Sequence, residues 1–172
     1  MTGVESAFGR AIAGALARAG ADLYLVAEEP RALDAVAPEI AALGRPAIAV
    51  PANVARADDC HRLAEVVSAA AGRVDVLALV LTGSETPHAV VTSLLPLMRA
   101  ASPPGAVVIV AGSTEAADTA LRSFPVIAGA RVNAIVSPAN GPVERTAAVA
   151  VHLAGDRSGA AARQIVDLRA AH

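Results

Sequence analysis

Apolar positions along the chain recur at two periods, and their alternation predicts the elements. Over residues 5–19, Phe8, Ile12, Ala15, Leu16 and Ala19 fall on one helical face, and Gly20 stands where a helix would stop. Residues 22–27 (DLYLVA) read as a strand. Pro30 opens a second helix, with Leu33, Val36, Ile40 and Leu43 facing inward and Gly44 after it. Residues 46–50 form a short strand. Asp58 and Asp59 begin a third helix, where acids suit the positive end of the dipole. Its inward face is Leu63, Val66, Val67 and Ala70, and Gly72 ends it. Residues 74–81 are nearly all apolar and predict a buried strand. Residues 86–101 predict a helix interrupted or bent at Pro96. Pro103, Pro104 and Gly105 make a turn. Then come a buried strand at 106–111 (AVVIVA), a helix at 114–123, a strand at 131–136 (RVNAIV), a helix at 142–154 and a last strand at 164–168.

Continuous apolar strands separated by amphipathic helices imply a parallel sheet covered on both faces. Right-handed crossovers then give a doubly wound α/β fold of three layers, helix, sheet and helix. No Gly/Ser or charged linker, repeat or low-complexity tract divides the chain. A single domain over residues 1–172 is expected.

Composition narrows the chemistry. The hydrophobic fraction is 55% and the charged fraction 17%, which excludes disorder for most of the chain. All 14 basic residues are Arg, so Schiff-base and Walker-type lysines are excluded. A net charge of -2, scattered arginines and few aromatic residues argue against nucleic acid. A lone Cys60 excludes an intrachain disulfide framework. It is either a reactive thiol near a helix start or a small buried side chain. His61, His88, His152 and His172 lie in separate segments without ligand spacing, so no metal is expected. The apolar runs are too short to span a bilayer, and the N-terminus lacks a signal-peptide pattern. A cytoplasmic protein without membrane contact is expected.

The chemistry-bearing segment opens the chain. Residues 2–9 (TGVESAFG) are a small-residue turn leading straight into a helix. Glycines in such a turn let backbone approach a pyrophosphate, and the helix start supplies unpaired N–H groups. The order of later segments resembles the short-chain dehydrogenase/reductase family, of ketoacyl-reductase type, over most of the length. Residues 2–9 are similar to its TGxxxGxG turn, with Ala7 in place of the middle glycine. Asn53-Val54 resembles the Asp-Val pair that touches adenine. Residues 75–83 resemble the DxLVNNAG strand and turn, and residues 105–113 (GAVVIVAGS) the strand ending at the catalytic serine. RVNAIVSP, from Arg131, is close to RVNxIxPG. Residues 153–156 (LAGD) and 164–167 (QIVD) resemble the FLASD and GQxxxVDGG endings, with Leu168 and Arg169 in place of the final glycines.

The resemblance implies a Rossmann-like fold and a nicotinamide cofactor held by Thr2, Gly3, Phe8, Gly9, Glu28, Asn53, Val54 and Gly83, with Ser113 as the catalytic serine. Four departures qualify it. The catalytic YxxxK pair is absent: the only tyrosine is Tyr24, and Arg122 cannot donate a proton near neutral pH. Residues 83–96, 113–131 and 138–153 are shorter than in the family, trimming its dimer-forming helices, its Tyr-Lys helix and its substrate lid. The strand that precedes the TG turn in the family is missing. Its place is closed up by the flanking strands, or filled by another chain or segment, or the chain is an edited form of a longer one. Finally, Ala7 crowds the pyrophosphate path, and Glu28 stands where an arginine often binds the extra phosphate of NADP. Glu28 or Glu29 would accept from a ribose hydroxyl, favouring NAD over NADP; no cofactor at all is the other possibility.

Several residues carry two readings. Ser113 polarises a carbonyl or caps the helix that follows it. Asn53 binds adenine or braces a turn, and Asn133 reads as structural. Glu115 and Asp118 read as a solvated helix face. The Ala-rich helices nearest the C-terminus are core or a subunit contact. The expected function is a degenerate dehydrogenase-like protein without redox activity of its own. It would be a structural or regulatory subunit in a homo- or hetero-oligomer, partnering a full-length homologue. The alternatives are an NAD(P)-dependent oxidoreductase acting on a keto or acyl substrate, and a simple nucleotide-binding module.

Overall fold

The computed structural model describes residues 1–81, 88–102, 105–124, 130–155 and 163–169. Six helices alternate with six strands: α1 (Ala7–Arg18), β1 (Leu23–Ala27), α2 (Pro30–Ala41), β2 (Ala47–Pro51), α3 (Ala57–Ala70), β3 (Val76–Val80), α4 (His88–Arg99), β4 (Ala106–Ala111), α5 (Thr114–Ser123), β5 (Arg131–Val136), α6 (Val143–Ala154) and β6 (Ile165–Asp167). Every strand pairing is parallel, as continuous apolar strands joined by helices require. The expected fold is therefore present. The turn at Pro103 and Pro104 lies outside the described residues.

The pairing falls into two sheets, β1-β2 and β3-β4-β5-β6. Met1 and Thr2 lie between them. Thr2 forms a parallel bridge to Val26 and donates its N–H to the Ala78 carbonyl at 3.0 Å. Met1 accepts from the Val26 N–H at 2.9 Å and donates its amine to the Tyr24 carbonyl. The flanking strands have not closed up; two residues of backbone hold their C-terminal halves a strand's width apart.

Two apolar clusters cover the two faces. Ile12 and Leu16 of α1, Leu33, Val36 and Ile40 of α2, and Ala147, Ala150 and Leu153 of α6 pack on one side. Leu63 and Val67 of α3, Leu94 and Met98 of α4, and Leu121 of α5 pack on the other. All six residues of β4 are buried, because both faces are covered there. Four expected core positions are corrected. Leu43 lies beyond the end of α2 and is 41% exposed, while Val66 and Ala70 lie on the outer side of α3, with Val66 42% exposed. Ala19 is exposed just past α1. Pro96 does not interrupt α4, which runs unbroken from His88 to Arg99.

Asn133 is structural, as its sequence context indicates. It is fully buried in β5, and its Oδ1 accepts from the Gln164 N–H at 3.0 Å, tying down the entry to β6. Its Nδ2 has no partner among the described residues. Asn133→Ala is expected to cost about 1–3 kcal/mol, because the Gln164 N–H loses its acceptor, and to increase amide exchange along β6. Chemical denaturation with residue-resolved exchange checks both.

Candidate functional site

The C-terminal ends of the parallel strands bring the expected site residues to one edge. The turn after Thr2, Glu28 after β1, Asn53 after β2 and Ser113 after β4 all leave the sheet on that side. In open α/β sheets this is the edge at which ligands bind. Gly83 lies outside the described residues, so its part of the edge carries no description.

The turn at residues 2–9 is built around two glycines. Gly3 has φ +70, and a Cβ there would meet the Val80 carbonyl oxygen at 2.8 Å. Gly9, on the first turn of α1, packs so closely that a Cβ would lie 1.9 Å from the Gly3 carbonyl oxygen. Backbone therefore touches backbone, and the start of α1 is drawn onto the sheet edge. Ser6 locks the turn as N-cap: its Oγ donates to the Gly3 carbonyl at 2.8 Å and accepts from the Gly9 N–H at 3.0 Å. Thr2 and Phe8 are buried, so neither side chain is open to a ligand. Ala7 is exposed at the mouth of the turn. The cradle fits a pyrophosphate, since it combines φ-positive glycine, close backbone approach and a helix start.

The remaining candidates divide. Glu28 and Glu29 are exposed directly after β1, and among the described residues no basic side chain pairs with either. Asn53 braces its loop, accepting from the Ala55 N–H at 2.8 Å through Oδ1, while its own N–H donates to Asp59. Val54 packs half-buried against the core. Ser113 caps α5, its Oγ accepting from the Ala116 N–H at 3.2 Å. Its hydroxyl proton stays free to donate. Asp118 pairs with Arg122 on the exposed face of α5, as a solvated face would. Tyr24 lies in mid-strand in β1, away from this edge.

Cys60 is buried and donates to the Val54 carbonyl; burial, aided by Asp59, pushes its thiol pKa up, so it is an inert packing residue. Among the described residues no group of three or more His, Cys, Asp or Glu is placed to hold a metal ion. No helix of the described residues is long and apolar enough to cross a membrane.

One cluster had no signal in the sequence. Arg169, where the family motif has glycine, forks onto Asp167 and reaches across to the Thr114 hydroxyl, next to Ser113. The Arg169 side chain and backbone N–H hold the Asp167 carboxyl down at about 2. Only the tertiary fold brings residue 169 beside residue 114.

A parallel sheet with a glycine cradle at its carboxyl edge defines a dinucleotide-binding type of α/β fold. The short chain dehydrogenase family profile matches residues 1–93, and the chain belongs to that family. It is 42% identical over 78 residues to a 3-oxoacyl-[acyl-carrier-protein] reductase of Synechocystis, a match covering 45% of this chain and 32% of that protein. The chain thus aligns with about a third of that relative's length. The fold is similar to that of the Pseudomonas aeruginosa RhlG/NADP active-site complex, with TM-score 0.79 and 19% identity over 97% of this chain and 92% of that one. It is also similar to a 7α-hydroxysteroid dehydrogenase complexed with NADH and 7-oxo glycochenodeoxycholic acid, with TM-score 0.84 and 17% identity over 97% and 90% of the two chains. At these identities the likeness to the solved structures is one of fold.

Two measurements follow. Gly9→Ala is expected to destabilise the chain by about 2–3 kcal/mol, because its methyl meets unyielding backbone. Gly20→Ala, where a Cβ meets nothing within 4 Å but φ is +97, should cost only about 1 kcal/mol; equal losses would remove the cradle's packing role. Asp167 has a folded pKa below its ordinary 3.8, so its contribution to stability is complete above that value. It is lost as pH falls toward about 2, and NMR titration of the Asp167 carboxyl should find that low midpoint. Arg169→Ala should return the midpoint to the ordinary range.

Proposed function

We propose that the chain binds a dinucleotide, NAD in preference to NADP, and serves as a non-catalytic subunit beside an active member of the same family. The observation that carries this reading is the contrast along one sheet edge. The turn keeps the close-packed Gly3 and Gly9, with Ala7 at the place of the middle glycine, whereas at the end of β4 Ser113 caps a helix. The only tyrosine stands in mid-strand, and the sequence has no lysine. Bound there, a nicotinamide cofactor would supply hydride chemistry. Gly3, Ser6 and Gly9 would hold its pyrophosphate through the turn and the start of α1, and Glu28 would accept from a ribose hydroxyl. A second negative phosphate beside the Glu28 and Glu29 carboxylates is repelled, which sets the preference for NAD.

Reduction of a ketone needs a proton donor beside the hydride acceptor. Ser113 can donate a hydrogen bond but, with an alcohol's high pKa, is a poor proton donor. The guanidinium of Arg122 keeps its proton, and its pKa is raised further by the hydrogen bond to Asp118. The match to a 3-oxoacyl reductase favours a second reading, in which keto-acyl reduction occurs with the missing phenol and ammonium supplied by a partner chain.

Isothermal titration with NADH and NADPH, followed by an NADH-oxidation assay on a keto-acyl thioester, tests the proposal. NADH should bind at least about tenfold more tightly than NADPH, a difference of roughly 1.4 kcal/mol. Gly9→Asp should abolish binding, and the chain alone should show no turnover. Turnover by the purified chain overturns the non-catalytic reading. Turnover appearing only on addition of a homologue that is inactive alone selects the second.

A further inference from the structure

α5 lies against β4, β5 and β6, yet little apolar packing joins it to β6. The cluster beneath α5 takes Ala117, Ala120 and Leu121 from the helix and Val132, Ala134 and Val136 from β5, and no residue from β6. Ile165 alternates onto the same side as Asp167, the side of α5, and is 37% exposed. Val166 and Leu168 serve the opposite cluster. Polar contacts must therefore join β6 to the helix.

Two arginines supply them, one just ahead of β6 and one just after it. Arg163 reaches the C-terminal end of α5. Its Nη1 donates to the Leu121 carbonyl at 3.4 Å and its Nη2 to the Phe124 carbonyl at 3.2 Å. Carbonyls at a helix C-terminus have no helical donor left and stand at the negative end of the dipole, so a guanidinium suits them. Arg163 also has φ 70, the one positive φ among the described residues other than glycine. That backbone is disfavoured for arginine. The two carbonyls hold it, together with the Arg163 N–H donating to Val132 at 2.7 Å. Arg169 reaches the opposite end of α5, where its Nη2 donates to the Thr114 hydroxyl. A helix N-terminus repels a bare cation. The Asp167 carboxylate balances that charge, accepting from Arg169 Nε at 3.0 Å and Nη2 at 2.6 Å, and its low pKa keeps it ionised.

The spans agree. α5 has 10 residues, about 15 Å of helix. From Arg163 to Arg169 the extended chain runs about 20 Å, so each arginine leans inward onto one helix end. Because β5 lies between β4 and β6, the Arg169–Thr114 link crosses the exit of β5. β6 is bonded to β5 alone among the described strands, so its release disturbs no further pairing.

We propose that α5 and β6 open and close as one unit, clasped by Arg163 at one end of the helix and by Arg169 at the other. Closed, the unit keeps Ser113 in its cap on the Ala116 N–H; opened, it frees that hydroxyl at the ligand edge. The inference stands apart from the cofactor reading, since it involves no residue of the glycine cradle.

Amide exchange in the Arg163→Ala and Arg169→Ala variants tests it. The reporters are Leu168, whose N–H donates to the Val136 carbonyl at the end of β6, and Leu121 within α5, with Leu25 of β1 as reference. Either substitution should speed exchange at both Leu168 and Leu121 by at least about fivefold, and leave Leu25 unchanged. The crossed readings decide: Leu168 in Arg163→Ala, and Leu121 in Arg169→Ala. A change confined to the end nearest the substitution, no change, or an equal change at Leu25 overturns the proposal. Arg163→Gly separates the clasp from backbone strain, because it relieves the positive φ while removing the guanidinium. Both reporters should still exchange faster than in the original chain; equal or slower exchange makes strain the larger effect and overturns the clasp.

Discussion

Thr2 pairs with Val26 on one side and donates to Ala78 on the other, and the two halves of the sheet depend on that pair of backbone contacts. With Met1, it is the only described backbone lying between β1 and β3. The glycine cradle begins at the next residue. Gly3 takes its left-handed φ against the Val80 carbonyl, and Gly9 rests on the Gly3 carbonyl, so α1 is docked through the same short segment. The spacing of the sheet halves, the seat of α1 and the approach to the ligand edge are therefore one mechanical unit. Its strength is backbone contact rather than side-chain packing, which is why single methyl groups matter there.

Around that unit the turn keeps Gly3 and Gly9, while the sequence has one tyrosine, Tyr24, and no lysine. The strand order, the two covered faces and the cradle follow the family to which the chain belongs. At the end of β4 Ser113 caps α5, and the nearby Arg169–Asp167 fork reaches Thr114. That fork occupies a place where motif glycines would leave open backbone. Charge at the mouth of β1 comes from Glu28 and Glu29, which disfavours additional phosphate.

Much of the fold was legible in the sequence. Period and punctuation located all twelve elements to within a few residues, because β3 and β4 are wholly apolar and glycines mark the ends of the first three helices. Gly20, Gly44 and Gly72 marked helix ends correctly, each with positive φ. The failures share a cause. Leu43, Val66 and Ala70 continue an apolar face past the point where a neighbouring layer covers it, and periodicity does not report where the neighbour stops. Of the interruption or bend read at Pro96, the interruption does not occur: α4 is continuous across it, with Val90, Leu94 and Met98 buried on its inner face.

The candidate site divides along the same line. Local chemistry was determined by sequence: the turn before α1, the acids after β1, the single tyrosine and absent lysine of the composition, and the capping choice open to Ser113. Such features depend on residues a few positions apart, and short-range sterics and hydrogen bonding settle them. Only the tertiary structure decided that Asn133 anchors Gln164, that Arg169 meets Thr114, and that Met1 and Thr2 bridge β1 and β3. Those outcomes depend on which distant backbones are brought to within a strand's width of one another, and no local pattern encodes that distance.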